Sequence, residues 1–133
     1  MIAGNESPLK GLEHSRWIEI GWTDDPHSII SASDLFLLPN KETYFDLVML
    51  EVLSLGQIIL TTFTGGNRYF EKLKPNGIFY YNNIEEACKR IEEIRNIPLN
   101  QKEKLQEQNR DIYVNNFTSS IFAENYVKLI ESL

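Results

Sequence analysis

The stretch that decides the fold is Ser33-Asp34-Leu35-Phe36-Leu37-Leu38-Pro39-Asn40, followed by Phe45-Asp46-Leu47-Val48-Met49-Leu50-Glu51-Val52-Leu53-Ser54-Leu55-Gly56 and by Thr61-Thr62-Phe63-Thr64-Gly65-Gly66. Residues 35–38 form a short apolar run closed by proline, and residues 57–62 form a second run built on the apolar Ile58-Ile59-Leu60. Runs of that kind belong inside a sheet covered on both faces. Between them, residues 47–55 are apolar nearly all round, as expected of a buried helix. Strand, loop, helix, strand and Gly-rich loop in this order predict a parallel, doubly wound sheet. The two runs should be neighbouring central strands.

The same alternation extends in both directions. Towards the N-terminus, residues 17–21 read as a strand and residues 1–4 as the tail of another. Asp25-Pro26 supplies a helix cap followed by proline at the first helical position, opening a helix through Ile29 and Ile30. Towards the C-terminus, residues 78–81 read as a weaker strand and residues 83–95 as an amphipathic helix. Beyond about residue 97 the strand pattern stops. A polar helix over 100–116, a break at Phe117-Thr118-Ser119 and a last amphipathic helix over 119–133 form a helical tail. The expected organisation is one α/β domain over residues 1–133, with its core in about 1–97 and the tail in about 100–133.

Composition excludes several classes. The chain has 133 residues and a formal net charge of -6, with no Lys/Arg cluster, so nucleic acid is set aside as a partner. No apolar run is long enough to span a bilayer, and no basic-then-apolar leader opens the chain. Cys88 is the lone cysteine, which rules out an internal disulfide and fits a reducing, cytoplasmic setting. His14 and His27 have no partners at metal-ligand spacing, and no Ser/His/Asp or Cys/His pattern is present. No metal and no cofactor are expected.

In a doubly wound sheet, ligands bind beyond the carboxyl ends of the strands. Residues 39–45 and 63–67 are the loops at that end. Glu51, inside an apolar helix, needs a partner, because an unpaired buried charge is costly. A vicinal diol of a sugar would serve; so would a narrow solvent stripe through Glu51 and Ser54, or a pairing with Arg or Lys. The helix start offers an anion site through its dipole and free N–H groups. Against that, Thr43-x-x-Asp46 has capping-box spacing and would occupy those donors. Gly65-Gly66 permits a close backbone approach, to a ligand or within a tight turn. Arg68 would meet a phosphate or be solvated.

Together these segments resemble the C-terminal domain of the group 1 (family 4) glycosyltransferases, whose corresponding stretches read "aDvfvlPS", "EGFGLVLLEAMAxG" and "PVVatdxGG". The resemblance covers most of the chain and is most specific in the centre. It implies a Rossmann-like fold and the donor-binding half of a two-domain, GT-B enzyme. That half binds a nucleotide-diphosphate sugar, UDP- or GDP-linked, for retaining transfer to a glycan, as in polysaccharide biosynthesis. The partner it implies is an N-terminal acceptor-binding domain or a second subunit, without which this chain would be inactive. It would be cytoplasmic, or peripheral to the inner face of the membrane.

Site residues follow from the same resemblance. Glu51 matches the glutamate that holds the ribose. The glutamate that touches the donor sugar falls on Thr43, with Glu42 one position early; either a one-residue shift lets Glu42 take the role, or the role is lost. Tyr44 and Asp46 replace the family's small glycines around Phe45, and Leu47 completes the loop; these residues would line the substrate. Residues 4–11 have the spacing of the family's "GRxxxxKG" loop, where Lys10 would neutralise the leaving diphosphate and Asn5 stands in place of the arginine. Lys10 and Glu42 are thus the catalytic candidates. A non-catalytic nucleotide-binding or interaction module on the same fold is the alternative, and a flavodoxin-like nucleotide binder a third reading.

Overall fold

A computed structural model describes residues 1–3, 11 and 13–133. Its centre is a parallel sheet of three strands, β3 (Phe36–Leu38), β4 (Ile59–Thr62) and β5 (Ile78–Tyr81), in the order β3-β4-β5. Phe36 lies beside Ile59 and Ile59 beside Ile78. A separate parallel pair is formed by β1 (Ile2–Ala3) and β2 (Glu19–Gly21). Helices follow the strands: α1 (Pro26–Ser31), α2 (Leu47–Ser54), α3 (Ile84–Arg95), α4 (Leu99–Asn116) and α5 (Ser119–Glu131). A 3-10 helix, Gly65–Leu73, occupies the crossover between β4 and β5. The Rossmann-like parallel α/β architecture and the C-terminal helix are as expected.

Alternation along β4 explains the two layers. Ile59 joins Met49, Val52, Leu53, Phe70 and Ile78 on one face, with α2 above it. Ile58 and Leu60 point to the other face and meet Tyr81 and Ile94 of α3. All three β4-region side chains are fully buried, and each such side chain contributes about 1.5–3 kcal/mol. β4 is therefore the covered central strand.

β3 departs from expectation. It is paired with β4 but lies at the edge of the three-stranded sheet, and Leu37 is 45 % exposed. Phe36 and Leu38 pack into the α2 layer, whereas α3 packs against β4 and β5 and leaves Leu37 uncovered. An all-apolar run was thus no guarantee of cover on both faces.

Local signals set the helix boundaries. The Asp25 carboxylate accepts from the Ser28 N–H at 3.1 Å, with Pro26 in the first turn. Asn83 Oδ1 accepts from the Glu86 N–H at 2.8 Å, and Thr118 caps α5. α4 is more than a tail: Ile112, Tyr113 and Phe117 pack on the α2 layer, and Leu105 on the other. Asn109 is fully buried there and its amide donates to the Gln57 carbonyl at 2.7 Å. Gly77 gives it room, since a Cβ there would stand 2.5 Å from Asn109 Nδ2. Asn109→Ala leaves the buried Gln57 carbonyl without this donor and should cost roughly 1–3 kcal/mol. Urea unfolding would read it as a lower midpoint with an unchanged slope; an unchanged midpoint would contradict the role given to this bond.

Candidate functional site

The loops after β3 and β4 meet at the carboxyl end of the sheet. Between them is an open cleft of about 480 Å³, lined by Glu42, Thr43, Tyr44, Thr64 and Gly65. Both glycines of the second loop are required by the first. Gly65 has φ +48, and a Cβ on it would stand 1.6 Å from the Thr43 carbonyl oxygen. A Cβ on Gly66 would stand 2.1 Å from the Tyr44 carbonyl oxygen. The close approach that Gly65-Gly66 permits is therefore to the neighbouring loop.

A chain of side-chain hydrogen bonds locks this contact. Thr61 Oγ1 donates to the Leu38 carbonyl at 3.2 Å and accepts from Asn67 Nδ2 at 3.0 Å. Asn67 Nδ2 also reaches Asp46 Oδ2 at 3.3 Å, where Asn40 Nδ2 donates at 2.8 Å. Thr43 Oγ1 donates to Asp46 Oδ1 at 2.6 Å. Thr62 Oγ1 donates to the Asn40 carbonyl. From the third strand, the Tyr80 hydroxyl donates to the Asn67 carbonyl at 3.2 Å. Burial, with repulsion from Glu71, pushes the Tyr80 phenol up to about 12, so it keeps its proton and remains a donor. Asn67 itself is fully buried, and its Oδ1 has no partner among the described residues.

The expected Thr43-x-x-Asp46 capping box does not form. Asp46 is itself the residue that precedes α2, and no side chain caps the helix. The same three-residue spacing places the Thr43 hydroxyl on the Asp46 carboxylate instead. The carboxylate still stands at the electropositive helix end, an arrangement worth about 0.3–1 kcal/mol at an exposed site.

Glu51 lies one turn into α2. It is exposed, so it is not the buried charge that would demand a partner, and no cation pairs with it among the described residues. Met49, Val52 and Leu53 take the buried side of the helix. Leu47, four residues before Glu51, shares its stripe and is 70 % exposed. Glu51 does not line the cleft between the loops; it stands on the exposed side of α2. Tyr44 is almost wholly exposed and Phe45 partly so, with the Phe45 ring 5.7 Å from that of Phe70.

The structure thus brings Glu42, Thr43 and Tyr44 together at the cleft, with Phe45, Asp46 and Leu47 leading from it to Glu51. Arg68 is turned away to Phe63, its Nε donating to the Phe63 carbonyl at 3.1 Å with the guanidinium 5.3 Å above that ring. Lys10 lies outside the described residues. Asn40, Thr61 and Asn67 were not singled out from the sequence. Polar residues immediately after strand ends, where ligands bind in such sheets, were the available signal.

A family model described as "Glycosyl transferases group 1" matches residues 7–112. The chain belongs to the group 1 glycosyltransferases. The match spans the cleft, α2 and both loops, and ends within α4. No curated protein matches the chain. Among the described residues of this glycosyltransferase domain, no helix is long and apolar enough to cross a membrane.

The loop contact is directly testable. Gly65→Ala forces a side chain into left-handed backbone and against the Thr43 carbonyl, and should destabilise the domain by roughly 1–3 kcal/mol. Thermal melting would show a clear drop; an unchanged midpoint would contradict the packing of the two loops.

Proposed function

We propose that this glycosyltransferase domain binds a nucleotide-diphosphate sugar, UDP- or GDP-linked, as donor for retaining transfer to a glycan or similar acceptor. The observation that carries the reading is Glu51. Its carboxylate is exposed and unpaired among the described residues, on a helix whose opposite side is fully buried. A carboxylate accepts two hydrogen bonds from a vicinal diol, and the exposed Leu47 one turn away offers an apolar surface to the adjoining ring. In this reading Glu51 holds the ribose. Glu42 and Thr43, at the cleft, meet the donor sugar.

Transfer of this kind depends on stabilising the charge that develops on the leaving diphosphate while the acceptor is held in line. Lys10 is the proposed cation for that charge. The acceptor is held by an N-terminal domain or a second subunit, so this chain by itself does not turn over. The reading places the domain in polysaccharide biosynthesis with a GT-B arrangement, in the cytoplasm. No metal or organic cofactor enters this scheme. The second reading, a nucleotide-binding or interaction module without transfer activity, is favoured by Tyr44 and Asp46 in the loop.

Glu51→Gln keeps shape and removes charge. Hydrogen bonds to a charged group contribute roughly 1.5–3 kcal/mol, so affinity for UDP or GDP should fall by about tenfold or more. The melting temperature should hardly change, because the side chain is exposed. Calorimetric titration alongside melting curves reads both; equal affinities in the two proteins would remove the ribose assignment.

A further inference from the structure

Helix α5 has almost no cover. None of its residues is buried, and all but the half-buried Ile121 are exposed. None of its side chains joins either apolar cluster of the core. Its 13 residues are near the lower limit for an isolated helix in water, so its stability has to come from an apolar face packed on something.

That face is well defined. Phe122, Tyr126 and Leu129, with Leu133 just past the last turn, follow one another at intervals of four, three and four. This is the seam spacing of paired helices. Each of the four is at least 57 % exposed, and the exposed Ile130 flanks them. The Phe122 and Tyr126 rings lie stacked, with centroids 6.4 Å apart. At 100° per residue, Glu124, Lys128 and Glu131 fall on the other side of the helix. The remaining positions beside the seam are Ala123, Asn125 and Ser132, all uncharged.

Such a seam is complementary to itself. In an antiparallel pair with its two-fold axis between Val127 and Lys128, Tyr126 of each copy meets Leu129 of the other, and Phe122 meets Leu133. No like charges come together in that pairing. An anionic lipid surface is a poorer match, because interfacial helices carry Lys and Arg on their polar face, and here two glutamates outnumber one lysine.

We propose that α5 is a dimerisation helix, whose seam of Phe122, Tyr126, Leu129 and Leu133 pairs antiparallel with the same seam on a second copy of this chain. The family match ends at residue 112, before α5 begins, so the inference goes beyond the donor-binding reading and does not rest on it. The seam and Ile130 offer on the order of 600 Å² a side, given about 150–250 Å² for each aromatic ring. A standard interface buries about 800 Å² a side, so the pairing is a reversible one with a dissociation constant in the micromolar range.

Sedimentation equilibrium of the wild-type chain from about 1 μM to about 1 mM spans that range. The mass should rise from one chain to two, and the helical circular-dichroism signal should rise with it as α5 gains its cover. Tyr126→Glu and Leu129→Glu each place a carboxylate in the seam and should hold the chain at the mass of a single copy throughout. Val127→Glu, on the side away from the seam, should dimerise as the wild type does. A wild type that stays at single mass overturns the proposal; co-sedimentation with vesicles of anionic phospholipid then asks whether lipid covers the face instead. A dimer that survives both seam variants, or is lost equally in Val127→Glu, overturns it as well, because its interface lies elsewhere. Since α5 contributes nothing to the core clusters, both seam variants should melt like the dilute wild type. If one fails to fold the other decides, and if neither folds α5 belongs to the core and the proposal is overturned.

Discussion

The site depends on one hydrogen-bonded chain that runs from the Leu38 carbonyl through Thr61 and Asn67 to the Asp46 carboxylate. Each link joins a different element. Leu38 ends β3, Thr61 belongs to β4, Asn67 to the 3-10 helix, and Asp46 precedes α2. Tyr80 adds β5 to the same knot. Buried polar groups of this kind stabilise only modestly when satisfied, yet cost the full desolvation penalty when a partner is lost. The chain therefore acts mainly on geometry: it holds the two loops in a single relation to the strands beneath them.

The glycines complete that constraint from the backbone side. With no Cβ on Gly65 or Gly66, the loop after β4 lies directly on the carbonyls of Thr43 and Tyr44. The cleft is what remains between the loops once they are in contact. Its walls come from the same residues that make the contact, so its shape and the stability of the knot are linked. A change that loosens Asp46 from Asn40, Thr43 or Asn67 alters the binding surface before it alters the core.

Much of this was legible in the sequence, for physical reasons that differ by element. β5 and the cap Asp25 were read at their observed positions, because strand run length and Asx capping are local effects. The apolar circumference of α2 implied burial all round, but only the side of Met49, Val52 and Leu53 is buried, and Leu47 and Glu51 stay exposed. Two further features escaped. The apolarity of residues 35–38 implied cover on both faces, but cover is set by where α3 lands, and α3 lies over β4 and β5. The Thr43-x-x-Asp46 spacing fits a capping box and equally a direct hydroxyl–carboxylate bond. The second forms, with Asp46 itself at the N-cap position and its other oxygen taken by Asn40 and by Asn67, which is distant in sequence. Glu51 stood between three readings because its helix had no single polar stripe; the exposure of Leu47 and Glu51 together removed the need for an internal partner.

A substrate site on this glycosyltransferase domain should occupy the joined loops and the exposed stripe of α2. Backbone amide chemical shifts of the isotopically labelled chain, followed by NMR during titration with UDP and with GDP, test that placement most directly. The account predicts that the largest perturbations fall on residues 42–47, on Glu51 and on residues 64–66, with α3 and α5 unmoved. Perturbations concentrated on α3 or α5, or none at saturating nucleotide, would contradict it.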